Sequence, residues 1–373
     1  MRVALVHDWL NGMRGGEKVL EVLCELYPEA EIFTLILDRA KVSARIGEME
    51  IHTSFLQHFP QIFRRYRSYL PLFPLAVERF DLKGYDLVIS TSHAVAKGAR
   101  TPDSCPHICY CFTPMRYIWY FYGEYFGQSP LKKILLGPIF TYLRWWDVVS
   151  SRRVDRFYAI SKNVARRVAQ LYNKHAEIIY PPVNTDFFVP AEGVEDFFLM
   201  VSALVPYKRV DLAITAFNRL GLPLKIIGTG PLAGRLKKAA GKNIRFLGWQ
   251  DNESLRSHYQ RCRALIFPGV EDFGIVPVEA MACGRPIIGL GQGGLLESTV
   301  PLRKGRKSDP TAVLFYEQRP EAMIEAVNLF LDRESEFDKE VIREHSLKFD
   351  RRIFKRNIQD AVKKSVEEYS KRI

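Results

Sequence analysis

One stretch of the sequence constrains the fold more than any other: residues 264–297, which read ALIFPGVEDFGIVPVEAMACGRPIIGLGQGGLLE. The apolar run 264–267 predicts a short buried parallel strand, which a Pro-Gly turn ends. Pro277 suits the first turn of a following helix, and Gly284 suits its end. Residues 286–289 then predict the next strand. The stretch therefore indicates a strand–turn–helix–strand unit of an α/β protein.

The polar residues of this stretch suit a hydroxyl-rich or anionic ligand. Gly274 precedes the predicted helix and leaves backbone N–H groups free beside the helix N-terminus, where anions bind. Glu271 lies before that turn, so its carboxylate can accept hydrogen bonds from ligand hydroxyls. Glu279 lies in the first turns of the helix and can reach a second part of the same ligand, such as a ribose. The alternative is that both acids lie at a helix start without binding a ligand. The glycines at 293–294 favour the ligand site over this alternative, because they add a second turn at the same sheet edge.

The order of these residues closely resembles the signature of family 4 glycosyltransferases, which are retaining enzymes of the GT-B fold. Here it reads Glu-x-Phe-Gly-x-x-x-x-Glu-Ala-Met-Ala-x-Gly-x-Pro, followed by Gly-Gly-x-x-Glu. The resemblance implies that Glu271 meets the hydroxyls of the donor sugar and that Glu279 binds the nucleotide ribose. Backbone around Phe273, Gly274 and Ile275 would support the sugar and the phosphates. The implied fold is α/β, with two Rossmann-like doubly wound domains facing each other across a cleft.

The resemblance extends, more weakly, over nearly the whole chain and implies its division. We expect an acceptor-binding domain at 1–182 and a donor-binding domain at 183–349. Two prolines at 181–182 suit a semi-rigid crossover between them. A helical period of apolar residues near the C-terminus predicts a helix at 350–373, and the resemblance implies that this helix packs back on the first domain. Independently, alternating strands and helices from 197 to 300 predict a parallel doubly wound sheet.

A basic loop follows the strand predicted at 197–202. A lysine at the mouth of such a strand can neutralise the charge of a leaving diphosphate. Lys208 coincides with the phosphate-binding lysine of the family, and the alternative is an ordinary surface lysine. The family's common arginine is Ala203 here, and we expect Arg209 to replace it in part.

Two further loops in the second half follow predicted strands. Residues 224–228 predict a strand that runs into a turn containing Gly228 and Gly230, and residues 244–247 predict another strand, which precedes Trp249. The resemblance places both loops around the nucleotide base.

The N-terminal region predicts a strand, a glycine loop and a helix. Residues 2–7 form the strand, and residues 17–26 have the apolar spacing of a helix. Gly15 and Gly16 lie at the helix start, where backbone can approach a phosphate or an acceptor. Many such loops bind nothing. In similar transferases this loop lies against the donor diphosphate and the acceptor.

Residues 112–119 resemble a segment of bacterial polysaccharide mannosyltransferases of family 4. Those enzymes usually carry His where this chain has Phe112, and Asp where it has Tyr120, so a His-centred role there is not expected. This resemblance is the basis for expecting GDP-mannose as the donor. It also makes Thr113 and Arg116 candidates for holding the acceptor or its diphosphate.

Two histidines lie near this segment in the sequence. His93 follows one predicted strand, and His107 begins the next. Each can be a structural residue at a strand end or an acid–base group, and the sequence leaves this choice open.

Residues 54–80 interleave arginines with aromatic residues, and prolines break the segment into short pieces. This pattern suits a membrane interface, with rings among the headgroups and cations on lipid phosphates. The alternative is a core helix with a solvated basic face.

Composition limits the partners and the compartment. The net charge of +12 favours an acidic partner: a nucleotide or lipid diphosphate, an anionic membrane or nucleic acid. No nucleic-acid-binding signature is present, so no nucleic acid is expected. No apolar run approaches the ~18–20 residues of a membrane span, and the N-terminus reads as a strand rather than a signal peptide. We expect buried free thiols in a reducing cytosol, rather than zinc ligands or disulfides, at Cys24, Cys105, Cys109, Cys111, Cys262 and Cys283.

These observations predict a retaining glycosyltransferase that moves a hexose, mannose from GDP-mannose, to a lipid-diphosphate-linked saccharide in cell-surface polysaccharide synthesis. It would act in the cytoplasm, bound peripherally to the inner membrane. No Asp-x-Asp pair occurs, so no essential metal is expected, and no cofactor beyond the nucleotide sugar. The alternatives are a GT-B epimerase or phosphorylase, or a non-catalytic nucleotide-sugar-binding module. A dehydrogenase is disfavoured because the first glycine loop lacks Gly-x-Gly-x-x-Gly spacing.

Overall fold

The chain folds into two compact units, each built around one parallel β-sheet. The computed structural model describes residues 1–120, 130–303 and 309–371, and for 130–135 the backbone alone. The first unit comprises Met1–Pro182 and Arg352–Ile373, and the second comprises Val183–Arg351. The boundary between them follows the two prolines.

The first unit contains a sheet of seven described strands in the order β3-β2-β1-β4-β5-β6-β7, and all neighbours are parallel. The strands are β1 Val3–His7, β2 Glu31–Thr34, β3 Glu50–Thr53, β4 Leu87–Ser92, β5 His107–Cys111, β6 Arg156–Ala159 and β7 Ala176–Ile178. Strands β1, β4 and β5 are buried along their whole length, as central strands of a covered parallel sheet are. The strand order reverses between β1 and β4, so the loops leaving their carboxyl ends diverge and leave a crevice.

Helices and 3-10 turns accompany this sheet. The described α-helices are α1 Gly15–Leu26, α2 Ala44–Gly47, α3 Ile62–Arg65, α4 Phe73–Val77, α5 Arg116–Trp119, α6 Pro130–Ser150 and α7 Lys162–Tyr172. The 3-10 segments are Arg39–Lys41, Phe55–His58, Tyr66–Leu72, Ala96–Gly98 and Ser151–Arg153. Ser161 caps α7: its hydroxyl accepts a hydrogen bond from the backbone N–H of Val164 at 3.1 Å.

The second unit contains six described parallel strands in the order β10-β9-β8-β11-β12-β13. The strands are β8 Phe198–Val201, β9 Leu224–Ile227, β10 Ile244–Gly248, β11 Leu265–Phe267, β12 Ile287–Leu290 and β13 Ala312–Phe315. This is the doubly wound order of the first sheet repeated, and its reversal lies between β8 and β11. The predicted fold class, with two Rossmann-like α/β domains, is confirmed.

Helices also accompany the second sheet, and some of them start or end at capping or turn residues. They are α8 Val210–Leu220, α9 Ala233–Ala239, α10 Asn252–Arg261, α11 Ile275–Ala282, α12 Leu295–Ser298, α13 Pro320–Asp332 and α14 Lys339–Leu347, with 3-10 segments Pro206–Lys208 and Glu334–Glu336. Helix α11 begins after Gly274, whose φ of 88° lies in the left-handed region that glycine adopts without strain.

The C-terminal helix α15, Arg351–Ser370, packs on the sheet of the first unit. The ring of Phe354 meets Tyr110 of β5 edge-on at 5.5 Å, and the hydroxyls of Tyr158 and Ser365 are 3.0 Å apart. Residues 372–373 of the predicted helix lie outside the described residues.

The basic and aromatic segment 54–80 is a series of short helical pieces rather than one core helix. One side of it joins the first unit's core through Leu56, Ile62, Tyr66, Leu70, Phe73, Ala76 and Val77. The opposite side exposes Phe63, Arg64, Arg65, Arg67 and Leu75, and these five residues are called the basic–apolar rim below. No helix in the described ranges is both long and apolar enough to cross a bilayer.

All six cysteines are buried and free, as predicted. Burial raises the pKa of Cys24 and Cys262 to about 12, so neither is a reactive thiolate.

Candidate functional site

Lys208 and Glu271 form an ion pair at the carboxyl edge of the second sheet, Nζ to Oε1. Lys208 ends the 3-10 turn that follows β8, and Glu271 follows β11. These strands are the neighbours at which the strand order reverses, where open α/β sheets bind ligands. Their side chains are 19% and 16% exposed, so the pair is largely shielded and still reachable.

The loop that carries Glu271 is held by the two glycines at 293–294. The N–H of Gly294 donates to the carbonyl of Glu271 at 2.9 Å. A Cβ on Gly294 would lie 2.2 Å from the Cα of Phe273, and one on Gly293 would lie 2.3 Å from the Glu271 carbonyl oxygen. Phe273 is buried, and its ring packs edge-on against Phe349 at 5.3 Å. The glycine pair is therefore required by packing against the site loop.

Helix α11 places three predicted donor-binding residues. Gly274 is the N-cap and Ile275 the first helical residue, so their N–H groups belong to the helix N-terminus. Glu279 lies one turn further on and is 3% exposed. The hydroxyl of Tyr259 donates to its carboxylate at 3.0 Å. Burial, together with the Glu279 carboxylate, holds the pKa of Tyr259 well above its usual range, so this hydroxyl remains a donor.

Arg209 follows Lys208 but its guanidinium is engaged elsewhere. Its backbone has φ 52°, in the left-handed region, where helix α8 begins. The guanidinium pairs with Asp211 at 3.3 Å and donates to Gln318 Oε1 at 3.3 Å. Gln318 in turn donates to the carbonyl of Pro268 at 3.1 Å, so Arg209 braces the loop that leaves β11.

The glycines of the turn after β9 are explained by close backbone packing. A Cβ on Gly228 would lie 1.9 Å from the carbonyl oxygen of Ser202, and one on Gly230 would lie 2.4 Å from that of Leu204. Trp249 follows β10 and is 74% exposed, so its ring is available to a ligand. All three residues lie at the carboxyl edge of the second sheet, as predicted.

In the first unit, Asp8 anchors the loop after β4. Its carboxylate accepts hydrogen bonds from four consecutive backbone N–H groups, of His93, Ala94, Val95 and Ala96, at 2.6–2.9 Å. Nδ1 of His93 lies 3.0 Å from the same carboxylate. Complete burial alone would raise the pKa of Asp8, but His93 and these N–H groups hold it well below its usual range. Asp8 is therefore a buried anion.

His7 and the α1 glycines lie beside this anchor. His7 is buried, its Nδ1 is 2.7 Å from Thr91 Oγ1, and burial lowers its pKa to about 3. A Cβ on Gly16 would lie 3.3 Å from the Phe112 ring and 3.6 Å from the His7 ring. Gly15 is the first residue of α1, so both glycines lie at the helix start, as predicted.

The other predicted acceptor residues follow β5. Thr113 is buried, and its hydroxyl accepts a hydrogen bond from Arg167 at 3.2 Å. Arg116 is the first residue of α5. The guanidinium of Arg167 also lies 4.4 Å from the centre of the Tyr120 ring, a contact that local sequence did not indicate.

His107 lies at the opposite edge of the first sheet, because it is the first residue of β5. It is fully buried, Nε2 is 2.8 Å from Ser90 Oγ, and burial lowers its pKa to about 4. This position is structural and removes His107 from the candidate site.

Glu31, Glu50 and His52 lie close enough together to share a metal ion. They belong to β2 and to the edge strand β3 beside it, and His52 Nε2 is 2.7 Å from Glu31 Oε2. Arg2 also pairs with Glu31 at 3.0 Å. The cluster is thus satisfied by its own members, and it contains none of the predicted site residues.

Local sequence did not indicate the role of Asp8 or its link to His93. They are 85 residues apart, and neither belongs to a local motif. The available signal was that each directly follows a predicted strand. Recognising the pair required knowing that β1 and β4 are neighbours.

Two family profiles match successive parts of the chain. The one described as Glycosyltransferase Family 4 matches residues 14–187, and the one described as Glycosyl transferases group 1 matches residues 184–347. Among curated relatives, an uncharacterized glycosyltransferase of Methanocaldococcus jannaschii is 32% identical over 162 residues, which are 42% of this chain and 46% of the relative. The O-antigen chain mannosyltransferase C of Escherichia coli is 34% identical over 101 residues, 25% of this chain and 27% of the relative.

The chain thus aligns with less than half the length of these curated relatives. A solved structure, Anabaena HepE in complex with UDP and glucose, matches with a TM-score of 0.70 at 14% identity, covering 96% of this chain and 99% of that one. This likeness concerns the fold. Because the two profiles together match residues 14–347, the chain belongs to the family 4 glycosyltransferases, and its fold is GT-B.

Proposed function

We propose that the protein is a retaining glycosyltransferase that moves a hexosyl group from a nucleotide sugar to a saccharide acceptor. The observation that carries the proposal is the Lys208–Glu271 ion pair at the reversal of the second sheet. At this edge of the sheet, the Lys208 ammonium can bind phosphates and the Glu271 carboxylate can bind sugar hydroxyls. Both groups adjoin the N-terminus of α11.

The donor is held through three kinds of contact in this proposal. Lys208 and the N–H groups at the start of α11 bind the diphosphate and take up the charge that develops on it. Glu271 accepts hydrogen bonds from the hexose hydroxyls. Glu279, fixed by Tyr259, accepts from the ribose hydroxyls.

Transfer then proceeds with retention. The bond between the anomeric carbon and the diphosphate oxygen breaks while the acceptor hydroxyl attacks on the same face. The hydroxyl proton passes to an oxygen of the departing diphosphate, so no protein base is required for this step. Contacts to the diphosphate strengthen as negative charge accumulates on it. They therefore lower the barrier to transfer.

GDP-mannose is the proposed donor, and a lipid-diphosphate-linked saccharide in cell-surface polysaccharide synthesis is the proposed acceptor. The name of the E. coli relative, an O-antigen chain mannosyltransferase, supports mannose and polysaccharide synthesis. The UDP and glucose bound to HepE make UDP-glucose the competing donor. Thermal-shift screening against GDP-mannose, UDP-glucose and ADP-glucose decides between them, because a bound ligand raises apparent stability.

Turnover is tested with the nucleotide sugar that stabilises the protein in the thermal-shift screen. The acceptor is a short isoprenyl diphosphate carrying N-acetylglucosamine. We expect a glycosylated lipid product of retained configuration, by NMR of the new linkage, and unchanged turnover in EDTA. Donor converted without acceptor would instead indicate an epimerase, and dependence on free phosphate a phosphorylase. Donor binding without turnover would indicate a non-catalytic module, and loss of turnover in EDTA would contradict metal independence.

The proposed site of action is the cytoplasmic face of the inner membrane, reached through the basic–apolar rim. Its three arginines and the ring of Phe63 suit a membrane with anionic headgroups. We expect the protein to sediment with vesicles containing anionic phosphatidylglycerol, and the triple variant R64E/R65E/R67E to lose this binding. As a matched control, R219E/R261E/R319E changes the net charge equally at exposed arginines of the second unit. Equal sedimentation of the two triple variants would contradict the proposal.

A further inference from the structure

We infer that His93 binds the acceptor: Asp8 holds its ring so that Nε2 accepts a hydrogen bond from an acceptor hydroxyl. The inference rests on the proposed function and adds a substrate contact on the first unit. It starts from the buried anchor formed by Asp8 at the reversal of the first sheet.

Asp8 fixes the tautomer of His93. An ionised carboxylate only accepts hydrogen bonds, so the imidazole nitrogen facing it, Nδ1 at 3.0 Å, must carry a proton. In the neutral ring the proton is then absent from Nε2, which presents a lone pair. Among the described residues, the polar contact of the His93 ring is the one from Nδ1 to Asp8, and the side chain is 21% exposed.

The ring of His93 is also held by its neighbours. Trp9 meets it edge-on with ring centres 4.4 Å apart, and Phe112 and His7 lie at 6.2 and 6.4 Å. Asp8 already accepts four backbone N–H groups, which suffice to fix the loop. The additional contact to Nδ1 therefore orients the imidazole rather than the backbone.

His93 differs from the other two histidines near this region. His7 is buried and hydrogen-bonded to Thr91, and His107 is buried at the opposite edge. His93 combines a fixed ring with solvent exposure, and its loop leaves β4 next to the crevice that α1 borders. An acceptor hydroxyl entering this crevice would find a lone-pair acceptor there.

Two amide substitutions separate the roles of the two nitrogens. In His93→Asn the amide N–H can replace Nδ1 and keep the bond to Asp8, but nothing replaces Nε2. In His93→Gln the amide oxygen can replace Nε2 as the acceptor. We expect His93→Asn to raise the KM for the isoprenyl-linked acceptor, or to lower kcat/KM for it, by about 10- to 100-fold, as loss of a substrate hydrogen bond does.

Reaction of the donor with water and the stability of the protein should be unchanged in the same variants. We expect His93→Asn to hydrolyse the nucleotide sugar with water as the acceptor at the wild-type rate and to melt at the wild-type temperature, and His93→Gln to recover most of the transfer. His175→Asn, an exposed histidine of the first unit, is the control and should behave as wild type.

Wild-type acceptor kinetics in His93→Asn would overturn the inference, as would equal losses in the Asn and Gln variants. A parallel fall in donor hydrolysis would assign His93 to the donor or to stability and would also overturn it. A wild-type protein that neither hydrolyses nor transfers any nucleotide sugar would refute the proposed function itself, and the inference would fall with it.

Discussion

Lys208 and Glu271 neutralise each other in the absence of a ligand, and a donor diphosphate would compete for the ammonium. We therefore expect Lys208→Ala to lower kcat by about 100- to 1000-fold, because charge on the leaving group loses its stabilising partner. Glu271→Ala should raise the donor KM. Steady-state kinetics measure kcat and the donor KM of both variants. Lys225→Ala, which removes a surface pair with Glu195 in the same unit, should leave both constants unchanged. Wild-type kcat in Lys208→Ala would contradict the assignment.

A second ion pair, between Lys97 and Asp147, is fully buried and serves stability. Its Nζ–Oδ1 distance is 2.8 Å, and Asp147 Oδ2 also accepts from Trp119 and Tyr172. We expect Lys97→Met to lower the free energy of unfolding by about 3–5 kcal/mol, because it leaves a buried carboxylate without its cation. Urea denaturation measures this.

An exposed pair gives the matched comparison for that prediction. Arg219→Ala breaks the exposed pair with Glu321 and should cost no more than about 1 kcal/mol. The double variant Lys97→Met/Asp147→Asn should lose less than the sum of its single variants, because the removed charges compensated each other. Additive losses would show that the two side chains act independently.

Residues in a local motif were predictable, and residues paired across the chain were not. Lys208 and Glu271 each carry a strand-end signal, and the structure places them in contact. Asp8 also follows a predicted strand, but its importance lies in burial and in four N–H groups from a loop 85–88 residues away, which local sequence does not show. Burial and long-range partners depend on strand order, which local sequence does not encode.

At the level of elements, the glycine pair that follows β12 sets the position of the Glu271 loop. We expect Gly294→Ala to lower both stability and donor affinity, because its Cβ would meet the backbone of Phe273 at 2.2 Å and force that loop to move. Thermal unfolding and donor KM report the two effects. Gly234→Ala is the control: nothing lies within 4 Å of its Cβ in helix α9, so it should be neutral or stabilising by up to ~1 kcal/mol. Equal behaviour of the two variants would contradict this packing role.

Elements with a strong period were predicted well, and segments without one were not. Residues 210–220 have the apolar spacing that predicts an amphipathic helix, and α8 spans Val210–Leu220. Residues 255–259 also predict a helix, but α10 spans Asn252–Arg261, because Asp251 caps it before its first apolar residue. Segment 54–80 could not be resolved from sequence, because its prolines break the period and its aromatic residues suit a core and a membrane equally.

At the scale of the whole molecule, the alternation of strands and helices from 197 to 300 was sufficient to predict one doubly wound sheet, and the family resemblance implied the other. The alternation did not give the strand order, which decides where each site lies. Both reversals, β1 to β4 and β8 to β11, bring together loops that are distant in sequence. Two polar pairs, Asp8 with His93 and Lys208 with Glu271, occupy these two positions. The strand order therefore brings strand-end residues that are distant in sequence together at two candidate sites.

The stability of the whole chain should depend on pH through its buried histidines. His7 and His107 have folded-state pKa values of about 3 and about 4, below the usual 6.5. Between these values and 6.5 the unfolded chain binds protons that the folded chain does not. The free energy of unfolding should therefore fall as pH drops below 6.5, by about 1.4 kcal/mol per pH unit for each histidine.

Replacing one of these histidines tests that linkage. His107→Gln keeps a polar side chain beside Ser90 but removes one titrating group, so the slope between pH 6 and pH 4.5 should fall by about 1.4 kcal/mol per pH unit. Urea denaturation across this range measures the slope, and His175→Gln, at an exposed position, should preserve it. Above pH 7 both histidines are neutral in either state, so the His107→Gln curve should run parallel to that of the wild type. A slope in His107→Gln equal to that of the wild type would mean that His107 is already protonated in the folded protein.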